Sequence, residues 1–393
     1  MPHAPSTPTG RIVLFGATGY TGDLTARALV AAGVRPVLAG RRPEPLRSLA
    51  AELGGSGEPL EVRVADVSNP ATVRDLVDRG DVLLTTVGPF SRWGRAAVEA
   101  AVSAGAHYVD STGEGSFVRS LVGEHGPLAA DAGSVLLTAF GYDYVPGNLA
   151  GALALRAADA VGTASAADVA YFNTGASGMG GASGGTRASA LEMISGGGYA
   201  LRDGGLVRQR PGSELLRVRA GGHVRPAVAV PATEHFFLPR LTPSLRSVRV
   251  GLGWFGALTP AVAVASRAAG ALDWVPPLRT GLGRVVGPLT RRVAGGSSGG
   301  PDEQARARTG SLVMADVRGP VGDLLAHVEL TGPNGYTLTA DLLAWAARAL
   351  AGLMPGLGAP ARAGALGPVE PFGLDTLQAA CAEAGLVEAE ERG

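Results

Sequence analysis

The heptapeptide Gly16, Ala17, Thr18, Gly19, Tyr20, Thr21, Gly22 constrains this chain more than any other feature, because it joins a short apolar run, Ile12–Phe15, to a stretch with helical spacing. In a strand, tight turn and helix, each glycine has its own task. The first makes the turn, the second lets backbone approach a pyrophosphate, and the third lets helix and strand pack closely. The anion rests on the helix N-terminus, where unpaired N–H groups and the helix dipole favour negative charge. Leu24, Ala28, Leu29 and Ala32 supply the helical spacing, and Gly33 stands where a C-terminal cap belongs. The alternation continues, with strands predicted over 36–39, 60–64, 81–85, 107–110 and 134–138 and helices around 45–53, 71–78 and 94–104. That order implies an α/β fold built on a Rossmann-type parallel sheet.

The chain has 393 residues, more than one such domain needs, and two domains are expected. Past residue 148 the rhythm changes to Gly- and Ser-rich loops, a helix at 187–194 and irregular Arg- and Pro-rich segments. The hydrophobic region 250–293 is interrupted by Pro260, Pro276, Pro277 and Pro288 and carries arginines. It reads as a helical insert rather than a membrane span of ~20 residues. Residues 295–304 read as a linker, followed by strands at 311–318 and 324–331 and helices at 336–350 and 374–384. The expected division is 1–148 for the nucleotide, 149–335 for substrate and dimerisation, and 336–393 as C-terminal helices.

Composition excludes several functions. A formal net charge of zero offers no basic footprint for nucleic acid. All 34 basic residues counted as Lys or Arg are arginine, which removes Schiff-base and lysine acid–base chemistry. The lone Cys381 excludes an intramolecular disulfide and a cysteine zinc site, and His223, His235 and His327 lack metal-ligand spacing, so no metal is expected. His107 reads as a core histidine on a strand face. The first ten residues show neither a basic start nor an apolar run, and a cytoplasmic enzyme is expected.

The nucleotide's identity is read after the second strand, where NAD-specific sites place a carboxylate and this chain has Gly40, Arg41 and Arg42. A guanidinium can pair with a 2′-phosphate and stack on adenine, which favours NADP(H). The alternative is that both arginines are solvated surface charges. Asp66 either meets the adenine edge or caps a helix with Ser68. Thr86, Val87, Gly88 and Pro89 follow the fourth strand at its carboxyl end and are expected beside the nicotinamide.

GATGYTG, VGPFSRWGRAAVEAAVSAGAHYVDSTGE at 87–114 and GYDYVP at 141–146 together resemble the saccharopine dehydrogenase-like superfamily. SGGTRASALEMI at 183–194 and GALGPVEPFGLDTLQAACAEAGL at 364–386 resemble the branch that includes the trans-acting enoyl reductases of polyketide and lipid assembly. The resemblance implies a Rossmann domain, a second α/β domain with a mixed sheet, and a C-terminal helix returning to the first. Where the family usually reads GFDSVP this chain has Tyr142 and Tyr144, and Gly367 replaces a family threonine. Without lysine the chain cannot repeat the lysine-pathway chemistry, and a saccharopine substrate is not expected.

Hydride transfer to a polarised double bond needs the acceptor carbon held near the nicotinamide and a donor for the charge that develops on the far atom. Asp143 is the first candidate for handling that proton, with the flanking Tyr144 and Tyr142 as further catalytic candidates; the alternative for Asp143 is a cap on a helix beginning near Pro146. Ser183 and Thr186 are candidate donors to a substrate carbonyl, although Thr186 equally suits a helix N-cap. Glu114 either faces the cofactor ribose or holds a loop. The apolar stretch 254–293 lines an acyl or polyketide pocket, touches a membrane surface peripherally, or packs between helices. The expected activity is NADPH-dependent reduction of an enoyl C=C bond in a hydrophobic or acyl-carrier-bound intermediate of secondary metabolism, by a homodimer. An imine reductase and a non-catalytic NADP(H)-binding protein are the alternatives.

Overall fold

The structure, a computed structural model, describes residues 10–175, 197–272 and 299–389. Ser183, Thr186, the helix predicted at 187–194 and residues 273–298 lie outside them. Met1–Thr112, Phe117–Asp143 and Tyr336–Thr376 form one compact unit; Gly113–Ser116, Tyr144–Gly335 and Leu377–Gly393 form the other. The units thus divide after residue 143 rather than 148, because the helix Val145–Ala158 buries nearly every side chain within the second unit. The C-terminal stretch is itself divided, with 336–376 in the first unit and the rest in the second.

In the first unit β1 (Ile12–Phe15), β2 (Val37–Gly40), β3 (Val62–Val64), β4 (Val82–Thr85), β5 (His107–Asp110) and β6 (Val135–Leu137) lie in the order β6-β5-β4-β1-β2-β3, all parallel. A two-residue strand, Gly364–Ala365, extends the sheet in parallel beyond β6. Strands β1, β2 and β4 are buried at every position, as a sheet covered by helices on both faces requires. The order reverses between β1 and β4, and in parallel sheets of this kind ligands bind beyond the carboxyl ends of the strands at such a switch point.

The second unit holds a nine-stranded mixed sheet. Its centre is β7 (Ala166–Gly175), with β8 (Tyr199–Arg202), β9 (Gly205–Arg208), β10 (Leu215–Ala220), β11 (His223–Ala229), β12 (Ser247–Leu252), β13 (Thr309–Arg318) and β14 (Leu324–Gly332) following, and the two-residue strand Val387–Glu388 pairs antiparallel with β14 as the ninth. β12 runs parallel to β7, and β13 runs antiparallel to it on the other side. The segment expected as irregular therefore contains four strands, β8 to β11. Two-residue turns join them in pairs: Asp203 and Gly204 at φ +50° and +80°, and Gly221 and Gly222 at +59° and +76°. Positive φ at both centres matches the right-handed twist of the flanking strands. The expected helical insert 250–293 begins instead within β12, and its described helix is Thr259–Leu272.

One face of this sheet packs on Val145–Ala158, where Leu149, Leu153 and Leu155 are buried and contribute roughly 1.5–3 kcal/mol each. The register sets a charged row across the other face. Arg249 on β12, Asp168 on β7, Asp316 on β13 and His327 on β14 are successive cross-strand neighbours. Arg249 grips Asp168 with two hydrogen bonds of 2.6 and 2.5 Å, while Arg318 (3.2 Å) and the His327 ring (2.7 Å) serve Asp316. Without them, two carboxylates directly opposite each other would repel.

Candidate functional site

The turn after β1 is made from backbone. Gly16 sits at φ +94°, a conformation L side chains rarely adopt, and its N–H donates to the Ala39 carbonyl at 2.9 Å. Its own carbonyl accepts from the Gly19 N–H at 2.9 Å and from the Thr86 hydroxyl at 3.2 Å. A Cβ on Gly22 would collide with that same carbonyl oxygen, so the helix Tyr20–Ala31 can begin here only because residue 22 has none. Gly19, extended at φ −79° and ψ 164°, precedes the helix, and no side chain caps it. A glycine-lined turn ending in an uncapped helix start fits a pyrophosphate, whose oxygens can meet the first-turn N–H groups. Ala17, Thr18, Tyr20 and Thr21 complete this turn.

Arg41 and Arg42 are exposed directly after β2, with Arg42 immediately before the helix Pro43–Gly54. Asp66 follows β3. Its Oδ1 accepts from both the Ser68 N–H and the Ser68 hydroxyl at 2.8 Å, which holds the carboxyl below the usual carboxylate range. Asp66 thus closes a local turn, and the helix Pro70–Arg74 takes Asn69, not Asp66, as its N-cap. Thr86, Val87, Gly88 and Pro89 lie beyond the carboxyl end of β4, with the Gly88–Pro89 bond cis and the Thr86 N–H bound to the Phe15 carbonyl at 2.9 Å. Among the proposed nucleotide residues, Gly16 to Gly22 and Thr86 are therefore brought together directly.

The segment carrying Asp143 leaves β6 through a backbone fixed by Asp110, which sequence reasoning missed. The Asp110 carboxylate accepts from the Thr112 N–H, the Thr138 hydroxyl and the Ala139 N–H, each at 2.8 Å, and the Asp110 carbonyl accepts from the Phe140 N–H at 2.7 Å. These bonds hold Ala139 at φ +56°. Burial nevertheless raises the Asp110 carboxyl to about 6. Burial likewise pushes the partly exposed Asp143 up to about 7. Asp143 is not a helix cap: Val145–Ala158 starts two residues later, Tyr144 stands at the N-cap, and no side chain caps the end.

Tyr142 is buried, and its N–H donates to the Thr339 hydroxyl at 2.9 Å. Tyr144 is 1% exposed, with its hydroxyl 3.2 Å from the carbonyls of both Gly113 and Pro231. These contacts hold the Tyr144 side chain within the second unit. Glu114 is also buried, at 1% exposure, in a segment that belongs to the second unit.

The second unit contains a further polar cluster that no motif announced. The Tyr171 hydroxyl lies 2.6 Å from Glu234 Oε1, accepts from the Gly147 N–H at 2.9 Å and reaches the Tyr144 carbonyl at 3.2 Å. The Asn148 side-chain amide donates to the Tyr144 carbonyl and to the Thr233 hydroxyl. Its members come from three separate parts of the chain, 144–148, 171 and 233–234, and the alternation of β7 could have flagged Tyr171 only as an inward residue.

Residues 12–137 match the saccharopine dehydrogenase NADP binding domain. A trans-acting enoyl reductase of Mycobacterium leprae is 43% identical over 140 residues, covering 35% of this chain and 34% of that protein. One from Mycobacterium ulcerans is 41% identical over 140 residues, again 35% and 34%. The matched stretches span less than half the length of these curated relatives. In three dimensions the chain resembles the apo saccharopine dehydrogenase (L-Glu forming) of Saccharomyces cerevisiae, with a TM-score of 0.57 at 12% identity, over 97% of this chain and 99% of that one. That likeness is one of fold. The first unit carries an NADP-binding domain of the saccharopine dehydrogenase type, in agreement with the resemblance read from its motifs.

Proposed function

We propose that this chain is an NADPH-dependent reductase that delivers a hydride to the polarised C=C bond of a hydrophobic or carrier-bound biosynthetic intermediate. The observation that carries the reading is the side-chain-free turn 16–22 beside an uncapped helix start, followed after β2 by two exposed arginines. The backbone of that turn would hold the pyrophosphate, and Arg41 and Arg42 the 2′-phosphate. When bound, the dinucleotide supplies the hydride. Thr86 to Pro89, beyond β4, would line the side where the reduced carbon sits.

Reduction of a C=C bond also needs a proton for the second carbon. Asp143 is assigned that proton, because a carboxyl held at about 7 by burial is still partly protonated at neutral pH. Ser183 and Thr186 are proposed as donors to the substrate carbonyl. The enoyl substrate is supported by the names of the curated relatives.

Calorimetric titration with NADPH and NADH tests the nucleotide assignment. NADPH should bind more tightly than NADH, and Arg41→Ala with Arg42→Ala should weaken NADPH by about 10- to 100-fold, the value of one or two charge-assisted hydrogen bonds. Asp143→Asn should keep that affinity and lose turnover of a trans-2-enoyl thioester. Binding of neither nucleotide would remove the reductase reading.

A further inference from the structure

We propose that Tyr336 and Thr339, on the helix Gly335–Leu350, are positioning residues that tie the phosphate-binding turn to the segment ending in Asp143. The proposal rests on the reductase reading for its purpose but not for its geometry. Tyr20 follows Gly19 and opens the helix proposed to receive the pyrophosphate; its ring meets that of Tyr336 edge-on, with centroids 5.0 Å apart and planes at 89°. One helical turn later the Thr339 hydroxyl accepts the Tyr142 N–H at 2.9 Å. Residues three apart on a helix share a face, so one turn of one helix touches both parts of the site.

The fit at Thr339 is close. A Cβ on Gly141 would stand 2.7 Å from Thr339 Cγ2 and 2.8 Å from its hydroxyl, so the chain at 141 approaches this helix as only glycine can. The two ends of the segment are held by different partners. Asp110 fixes Thr138, Ala139 and Phe140, whereas Thr339 fixes Tyr142, the residue directly before Asp143. Phe372 braces the arrangement from behind, with its ring 6.3 Å from Phe140 and 4.7 Å from Trp345 on the same helix. Asp143 thus owes its place to a side chain almost two hundred residues further along the chain.

The experiment uses the full chain carrying Tyr336→Leu, Tyr336→Phe, Thr339→Val or Thr339→Ser, with amide hydrogen exchange and NADPH titration as readouts. Tyr336→Leu should speed exchange in 16–22 and weaken NADPH about 5-fold, the value of one aromatic edge contact, while Tyr336→Phe keeps both. Thr339→Val should speed exchange at 141–143 and shift the titration of Asp143, followed by its carboxyl infrared band, towards ordinary acid values as water enters. Thr339→Ser should restore both. A residue that served packing alone would lower stability and leave these readouts in place. Unchanged exchange in both segments would overturn the proposal, as would Thr339→Ser behaving like Thr339→Val. If Thr339→Val does not fold, Tyr336→Leu against Tyr336→Phe decides. Should wild-type protein bind no NADPH, the reductase reading falls, and the exchange data alone still settle whether the helix couples the two segments.

Discussion

The two sheets of this protein place chemistry in opposite ways. The central strands of the first unit's parallel sheet are buried throughout, and its proposed nucleotide site is made at the strand ends from backbone amides, carbonyls and missing side chains. The mixed sheet of the second unit carries its polar groups on the strands, in a cross-strand row on one face and around Tyr171 on the other. A backbone site depends on what a few consecutive residues lack. A side-chain site depends on register, which joins residues remote in sequence.

If that contrast holds, the largest effect should come from adding one methyl group to the first sheet's turn. Gly22→Ala places a Cβ against the Gly16 carbonyl, and urea unfolding should show a loss of about 3 kcal/mol, with NADPH binding abolished. The gain in helix propensity from Ala is smaller, about 1 kcal/mol. A tolerated Gly22→Ala would show that the turn does not depend on a missing side chain at 22. In the second sheet the matching change is Arg249→Met, which leaves Asp168, 8% exposed at its side chain, facing Asp316 without its two-pronged partner. Arg249 itself is 39% exposed, so the expected loss is about 2 kcal/mol, between the values for exposed and buried pairs, with NADPH affinity unchanged.

The smallest effect concerns pH. The hydrogen bond from His327 to Asp316, aided by Glu329, raises the imidazole above its ordinary value. A group raised in the folded state adds stability that is complete below the unfolded pKa of about 6.5 and is lost as pH rises through the folded value. His327→Gln should therefore destabilise the protein at pH 5.5 and have little effect at pH 9, as followed by thermal unfolding across that range. An equal effect at both values would mean that the row is held by packing rather than charge.

How much could be read beforehand follows the same division. The strands at 12–15 and 107–110 match in full, and the glycine heptapeptide was legible because its three glycines are local requirements of one turn. The hairpins β8–β9 and β10–β11 were hidden by their arginines, one each on β8, β9 and β11 and an outward-alternating pair, Arg217 and Arg219, on β10, which look like loop composition; Asp203-Gly204 and Gly221-Gly222 were the available turn signals. Asp110 was legible as a strand end but not as the anchor of residues 138–140, since that role depends on the parallel pairing of β5 with β6. Thr339 and Glu234 lie in segments with no motif, and three-dimensional contact alone identifies them.

The strand Gly364–Ala365 completes the first sheet beside β6, and residues 336–376 belong to that unit although the whole of β7 to β14 intervenes. During synthesis on a ribosome, the nucleotide-binding half emerges first yet must wait for residues made some two hundred positions later to cover its last edge. Until then β6 presents unpaired backbone groups, as an edge strand does. Manufacture and completion are therefore out of step: the first sheet gains its last strand only after β7 to β14 have been made, and the second unit in turn receives its last residues, from Leu377 onward, after that.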